Sequence, residues 1–315
     1  MRRLRVKIDG NACYHVMSRC AFQHFAIDDE SKTMFIKILR RSEFFSGVHV
    51  LNFCVMDNHF HVLVNVPKRK PVSDAELRKK IRVLYGEIKA RSIFKRWEEL
   101  GDKGLDALVS KEQDAFRTRM YDISQFMKTL KQRFSLWYCT NHGNLEGTIW
   151  QGRFHSVVVE NSANALSAVS AYIDMNPVRA KVVDSPEKYR WSGVGQACAG
   201  DQMAKEAIAS MFGKVSGKTE DYWRHYRSLL KAKTPVPIQK APDLRHKPQS
   251  ANLQNEEGIT ATRDAKMSRG VAFGSERFVV RITELAASPQ TVTFAKGTWE
   301  GKGLFAAGRR ARREA

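Results

Sequence analysis

Residues 48–66 read Val-His-Val-Leu-Asn-Phe-Cys-Val-Met-Asp-Asn-His-Phe-His-Val-Leu-Val-Asn-Val, and the fold of the chain is decided here. Two runs rich in β-branched and aromatic residues, Val48 to Met56 and His59 to Val66, flank Asp57-Asn58, a dipeptide suited to a tight turn. The spacing predicts a β-hairpin. Side chains alternate between faces along a strand, so His59 and His61 project together while Phe60, Val62, Val64 and Val66 point the other way. One face of the second strand is therefore apolar, and the other carries two imidazoles.

Upstream of the hairpin, Cys13 to Arg19 reads as a short strand. Met34, Phe35, Ile38, Leu39 and Phe45 recur at helical spacing between Glu30 and Phe45. Downstream, Ser73-Asp74-Ala75-Glu76 has capping-box form after Pro71 and opens a helix with Leu77, Ile81 and Leu84 on one face. A longer helix is expected from about Met120 to Tyr138. Its apolar stripe is Ile123, Phe126, Met127, Leu130, Phe134 and Trp137, with Lys128, Lys131 and Gln132 on the wetter side. The charged segment between these helices, 91–119, reads as an insertion with no assigned role. Arg153 to Glu160 is strand-like. Ser162 to Asn176 is helical, capped by Ser162 or Asn161 and ended by Pro177. Strand, helix, strand, strand, helices, strand, helix is the order of a split βαβ unit, so the expected fold is α+β: a ferredoxin-like core with an antiparallel sheet.

Two further helical patterns, 202–212 and 220–231, predict a helical C-terminal extension. Pro235, Pro237, Pro242 and Pro248 then mark a linker, and Arg277 to Leu285 is a short apolar helix or strand. The basic stretch Gly308 to Arg313 is expected to be a disordered tail able to touch phosphates without sequence preference. The expected division is 1–195 catalytic domain, 196–232 helical extension, 233–258 linker and 259–315 basic C-terminal region.

Lys and Arg number 53 against 33 acidic residues, a formal charge of +20. Such an excess favours a polyanionic partner, because each phosphate neutralised releases condensed counterions. No long basic amphipathic helix points to an acidic membrane surface. Five cysteines without a CxxC pair argue against a disulfide framework or a cysteine zinc site, and a reducing cytoplasm fits them. No signal-peptide core and no run of about 18 apolar residues is seen, so a soluble cytoplasmic protein with no membrane partner is expected. There is no internal repeat and no Gly-rich phosphate loop.

Two neutral imidazoles side by side on a strand are a ready metal site, although a bare His-x-His is short enough to arise by chance on a half-exposed sheet. Tyr172 and Asn176 lie one turn apart on the last core helix, with Ala165 and Ala168 expected to keep that face open. Taken together, these groups suggest a reaction. A divalent ion on His59, His61 and a third ligand would polarise a scissile phosphate while the Tyr172 hydroxyl attacks phosphorus in line, leaving a phosphotyrosine and a free 3′-OH. A phenol with a pKa near 10 needs a cation or base beside it to act near neutrality. Any of His15, His24, His142 and His155 could complete a metal site, but each is read first as a solvated or hydrogen-bonded histidine. Arg153 could pair with phosphate and Trp150 could stack a base, though Trp150 reads equally as core.

The string Met56-Asp57-Asn58-His59-Phe60-His61-Val62-Leu63-Val64 resembles the His-hydrophobic-His motif of single-tyrosine HUH transposases, the IS200-like superfamily. Tyr14-His15-Val16 with Ser18-Arg19, Trp150-Gln151-Gly152-Arg153-Phe154, Tyr172-Ile173-Asp174-Met175-Asn176-Pro177-Val178-Arg179-Ala180 and Tyr189-Arg190-Trp191-Ser192 are similar to further segments of its REP-associated tyrosine transposase branch. The resemblance spans about residues 10–195. It implies a ferredoxin-like fold, use of Mg²⁺ or Mn²⁺, and recognition of DNA hairpins with cleavage of a flanking single strand. Carried over, His59 and His61 become metal ligands, Tyr172 the nucleophile and Asn176 a third ligand or its helper. Arg19, Arg153, Trp150, Lys128 and Lys131 are expected to contact DNA, and the protein to act as a monomer or homodimer. The alternative is a non-catalytic, domesticated hairpin-binding protein. A zinc hydrolase built on the His pair lacks a downstream ligand at suitable spacing.

Overall fold

The computed structural model describes residues 6–8, 10–21, 27–143, 148–213, 219–231, 271–285, 292–295 and 305–309. Strand β1 (Ala12–Arg19) leads into helix α1 (Asp29–Ser46), then the hairpin β2 (His49–Val55) and β3 (His59–Val66). Helices α2 (Asp74–Tyr85), α3 (Glu87–Asp102), α4 (Asp106–Arg117) and α5 (Ile123–Asn141) follow, then β4 (His155–Val159) and helix α6 (Ala163–Asp174). The four strands pair in the order β2-β3-β1-β4, all antiparallel, the ferredoxin-like order expected from the sequence. The register sets Arg19 opposite His59 and Met17 opposite His61.

Period-two alternation gives this sheet two different faces. Tyr14, Val16, Phe60, Val62 and Val64 point toward α1 and α5, where Phe35, Leu39, Phe126, Leu130 and Phe134 complete a closed apolar core. Asp28 and Asp122 cap α1 and α5 by accepting from the Ser31 and Gln125 amides. α1 ends at Gly47, whose φ of 69° and close approach to the Tyr121 ring exclude a β-carbon. The opposite face carries Cys13, Leu63, Val157 and Val159, covered by α6 and by the extension helices α8 (Gly193–Cys198), α9 (Gln202–Ser210) and α10 (Thr219–Lys231). Ala165 and Ala168 are buried there. They do not keep a face of α6 open, because small side chains let the helix lie close on the sheet.

Segment 91–119, to which the sequence assigns no role, is helical: α2 to α4 form a unit with its own core of Leu77, Ile81, Leu84, Phe94 and Trp97, docked on Phe45 of α1. Its charges are largely spent on one another, as in the Arg96–Glu112 and Arg117–Asp114 pairs. Pro177 does not end the helical path, because a proline is tolerated in the first turn of the short helix α7 (Asn176–Arg179). The sheet is not purely antiparallel either. Strand β5 (Ala272–Gly274) joins β4 in parallel, followed by helix α11 (Glu276–Leu285) and strands β6 (Val292–Ala295) and β7 (Phe305–Arg309), in the full order β2-β3-β1-β4-β5-β7-β6. Glu160 fastens this return by accepting from the Ser275 amide at 2.7 Å and its hydroxyl at 2.8 Å. Gly308 and Arg309, expected in a free tail, end β7, while the rest of the tail, His24 and the linker 233–258 lie outside the described residues.

Candidate metal and nucleophile site

His59 begins β3 and His61 follows two residues on, so both leave the sheet on the α6 side. Their ring centroids are 5.1 Å apart and nearly perpendicular. His59 Nδ1 lies 2.6 Å from Asn58 Oδ1; with the proton on Nδ1 donated to that oxygen, Nε2 would carry a lone pair. His61 Nδ1 lies 2.9 Å from Nε2 of the buried His15, so with the proton on His61 Nδ1 its Nε2 also carries a lone pair. One ring nitrogen oriented by a neighbour and the other left for a ligand is the usual support of a metal-binding imidazole.

Both rings are held neutral, as a metal ligand must be. Burial pushes His59 down to about 4, aided by the Arg19 guanidinium and opposed by Asp57. Burial likewise holds His61 well below the ordinary histidine range, with His15, His59, Arg179 and Arg19 adding to the effect. The positive fields of Arg19 and Arg179 thus reach the pair, which suits an anionic ligand.

Helix α6 brings Tyr172 to the same place. Its ring centroid is 5.8 Å from those of both His15 and His61, edge to face in each case. Arg179 lies over the Tyr172 ring at 4.4 Å and donates from Nη2 to the Tyr172 carbonyl at 2.5 Å. Asn176 uses its amide nitrogen on the carbonyls of Tyr172 (3.0 Å) and Ile173 (3.2 Å), which leaves Oδ1 as its remaining donor atom. Among the described residues no group of three or more His, Cys, Asp and Glu side chains could hold a metal. A metal at this place would have two imidazoles, with an amide oxygen, water or the ligand's own oxygens to complete its shell, a set that would fit a catalytic ion with open positions better than a closed structural one.

The remaining expected DNA contacts lie next door. Cys20 bridges to Trp150, and the Gln151 amide donates to the Arg19 carbonyl at 3.0 Å, so the segment 148–154 abuts the strand end that faces His59. Between it and α5 runs an open groove of about 860 Å³ that includes Lys128, Lys131, Trp150 and Arg153. Lys128 and Arg153 are exposed. Lys131 is engaged with the Gly152 carbonyl at 2.7 Å and with the Trp150 ring. Trp150 is buried, with Nε1 donating to Ser135 Oγ at 2.8 Å, and so forms a wall of the groove as part of the core.

Sequence reasoning did not single out Arg179, although it stands seven residues from Tyr172, two turns along one helical face; reading Pro177 as a stop hid that spacing. His15 stood among four histidines that could complete a metal site, and nothing in the sequence singled it out from the others, because its diagonal contact with His61 depends on strand register.

Residues 10–104 match the family of IS200-like transposases. The match includes His15, His59 and His61 and ends before Tyr172. No curated protein matches the chain. Among solved structures, a REP-associated tyrosine transposase bound to a REP hairpin is similar over 63% of this chain and 86% of its own, at 14% identity and a TM-score of 0.41. A Deinococcus radiodurans R1 protein, provisionally assigned as a transposase, is similar over 58% of this chain and 92% of its own, at 13% identity and a TM-score of 0.24. Among the described residues no helix is long and apolar enough to cross a membrane.

Proposed function

We propose that this protein is a metal-dependent nuclease and strand transferase that cuts single-stranded DNA beside hairpins through a covalent phosphotyrosine. The observation that carries the reading is the convergence of Tyr172 on His15 and His61, 5.8 Å from each, with Arg179 at 4.4 Å over the phenol ring. A divalent cation held by His59 and His61, with Asn176 Oδ1 as a third donor, would supply Lewis-acid polarisation of the scissile phosphate; Mn²⁺ tolerates imidazole better than Mg²⁺ does.

The chain's own residues do the rest. Arg19 and Arg179 hold the phosphodiester against the His pair, since a guanidinium fork matches phosphate oxygens. Tyr172 Oη attacks phosphorus as its proton leaves to solvent. The P–O3′ bond breaks, the 3′ oxygen takes a proton, and the 5′ phosphate remains esterified to Tyr172. Because the ester keeps the phosphoryl bond, a second 3′-OH can reverse the step without a nucleotide cofactor. Lys128 and Arg153 bind the flanking strand through its phosphates, an interaction without sequence preference.

The test is incubation with labelled hairpins bearing single-stranded tails in Mn²⁺, analysed on a denaturing gel. A covalent protein–DNA band is expected from the wild type and from neither Tyr172→Phe nor His59→Ala. Tight binding without an adduct across hairpins and metals would replace this reading with that of a non-catalytic hairpin-binding protein.

A further inference from the structure

Beneath Tyr172 lies a buried polar cluster drawn from three separate elements. Asn52 from β2, Ser170 and Asp174 from α6 and Tyr226 from α10 are each at most 1% exposed. The Asn52 amide donates to Ser170 Oγ at 2.5 Å and to Asp174 Oδ2 at 2.8 Å. The Tyr226 hydroxyl donates to Asp174 Oδ2 at 2.5 Å, and the Tyr226 and Ser170 hydroxyls are 2.8 Å apart. Tyr226 has one proton, and a carboxylate is the stronger acceptor, so Ser170 donates to the phenol oxygen. Each of these hydrogen bonds then has one donor and one acceptor. Asn52 is itself held: it sits at the register shift of β2, its Oδ1 accepts from the Phe53 amide at 2.8 Å, and a β-carbon on Gly193 would come within 2.1 Å of that oxygen.

Four buried polar side chains cost more to assemble than an apolar core of the same volume, so they gain little stability and much direction. On α6, Leu166, Val169 and Ile173 pack beside Ala165, Ala168 and Ala171. That apolar packing holds the helix close to the sheet but is not directional, whereas the hydrogen bonds of Ser170 and Asp174 fix one rotation. Ser170 and Asp174 are one turn apart on one side of α6, and Tyr172, midway between them in sequence, leaves from roughly the opposite side. A rotation of about 10° moves a group roughly 6 Å from a helix axis by about 1 Å. A displacement of about 1 Å at a reacting atom can cost on the order of 10²-fold in rate.

We propose that Tyr226 is a positioning residue for Tyr172: by holding Asp174 and Ser170, α10 fixes the rotation of α6 and so the reach of the nucleophile toward His61. The extension thereby becomes part of the site, although it lies beyond the segment that matches the transposase family. This assignment rests on the reading of Tyr172 as nucleophile.

The test uses the full chain and two separate readouts. Tyr226→Phe keeps the ring and removes only the hydroxyl. In hydrogen exchange, residues 168–176 should lose protection at least tenfold in this variant, while α1 and α5 stay within twofold of wild type. In single-turnover reactions with a tailed hairpin and Mn²⁺, adduct formation should slow at least tenfold at unchanged hairpin affinity, and Tyr226→Phe combined with Asp174→Asn should be no slower than the slower single variant. A wild type that forms no adduct removes the nucleophile reading, and exchange in α6 alone then judges the coupling. Unchanged exchange in α6, loss of protection throughout the chain, or a wild-type rate in Tyr226→Phe where the wild type reacts each overturns the proposal.

Discussion

The two faces of the core sheet are built from the same strands and obey different rules. Toward α1 and α5 the sheet presents Tyr14, Val16, Phe60, Val62 and Val64, and the helices close over them with aromatic side chains such as Phe35 and Phe134, whose rings lie 5.1 Å apart. Toward α6 the alternate positions present His15, His61 and Arg19, and the covering helix supplies alanines, a phenol and a buried carboxylate. Neighbouring residues on β3 therefore belong to different parts of the protein. Phe60 contributes stability by displacing water, whereas His61 is kept neutral by burial and offers a lone pair. A period of two lets a single strand serve both ends without compromise to either.

The sharpest way to break this comparison is to change one residue on each face and ask whether the effects separate. Tyr172→Phe should abolish adduct formation, by a factor of at least about 10³ given the loss of a covalent nucleophile, with the thermal midpoint nearly unchanged. Phe60→Ala should do the reverse and cost about 3–5 kcal/mol in denaturant unfolding, with a surviving folded fraction that still forms adduct. If Phe60→Ala retains full stability, the closed-core account of that face is wrong.

Between those extremes, His61→Ala or chelation with EDTA should lower adduct formation by about 10²-fold or more while hairpin binding, read by filter retention, persists. Loss of binding with the metal would mean that the His pair holds DNA directly. A smaller effect is expected from Lys128→Gln with Arg153→Gln. At saturating DNA the adduct rate should hold, but the slope of log affinity against log salt should flatten by about 0.7 per phosphate contact removed.

The smallest effect belongs to the apolar face. Asp122 caps α5 and pairs with Lys7; burial alone pushes its pKa up, but hydrogen bonds from Lys7 and from the Gln125 and Ser124 amides outweigh it and leave the carboxyl below its ordinary range. A depressed carboxyl contributes stability that is present above its unfolded pKa near 3.9 and is lost as pH falls through the lower folded value. Asp122→Asn should therefore cost roughly 1 kcal/mol at neutral pH and almost nothing near pH 2, measured by urea unfolding at both.

Much of this was legible along the chain because it depends on local periodicity. The hairpin, the pairing of His59 with His61 on one face and the caps at Ser73 and Ser162 follow from the two repeat lengths of regular structure and from residues that satisfy open helix ends; Tyr172 and Asn176, expected on one helix, instead stand on α6 and at the start of α7. The strand order of the first four strands followed from chain order and the need to bury one face of each helix.

What only the tertiary structure decided is every relation that joins positions far apart in sequence. His15 meets His61 because strand register sets their diagonal, and no single-chain pattern specifies register between strands separated by a helix. Return of residues 272–274 to pair with β4 in parallel needs a partner more than a hundred positions away. Tyr226 reaches Asp174 through a carboxylate that, in sequence, looks like an ordinary surface residue near a helix end. The sequence by itself determined which residues could do chemistry and on which face they stand. Packing decided which of them meet, because side-chain direction is a local property and contact is not.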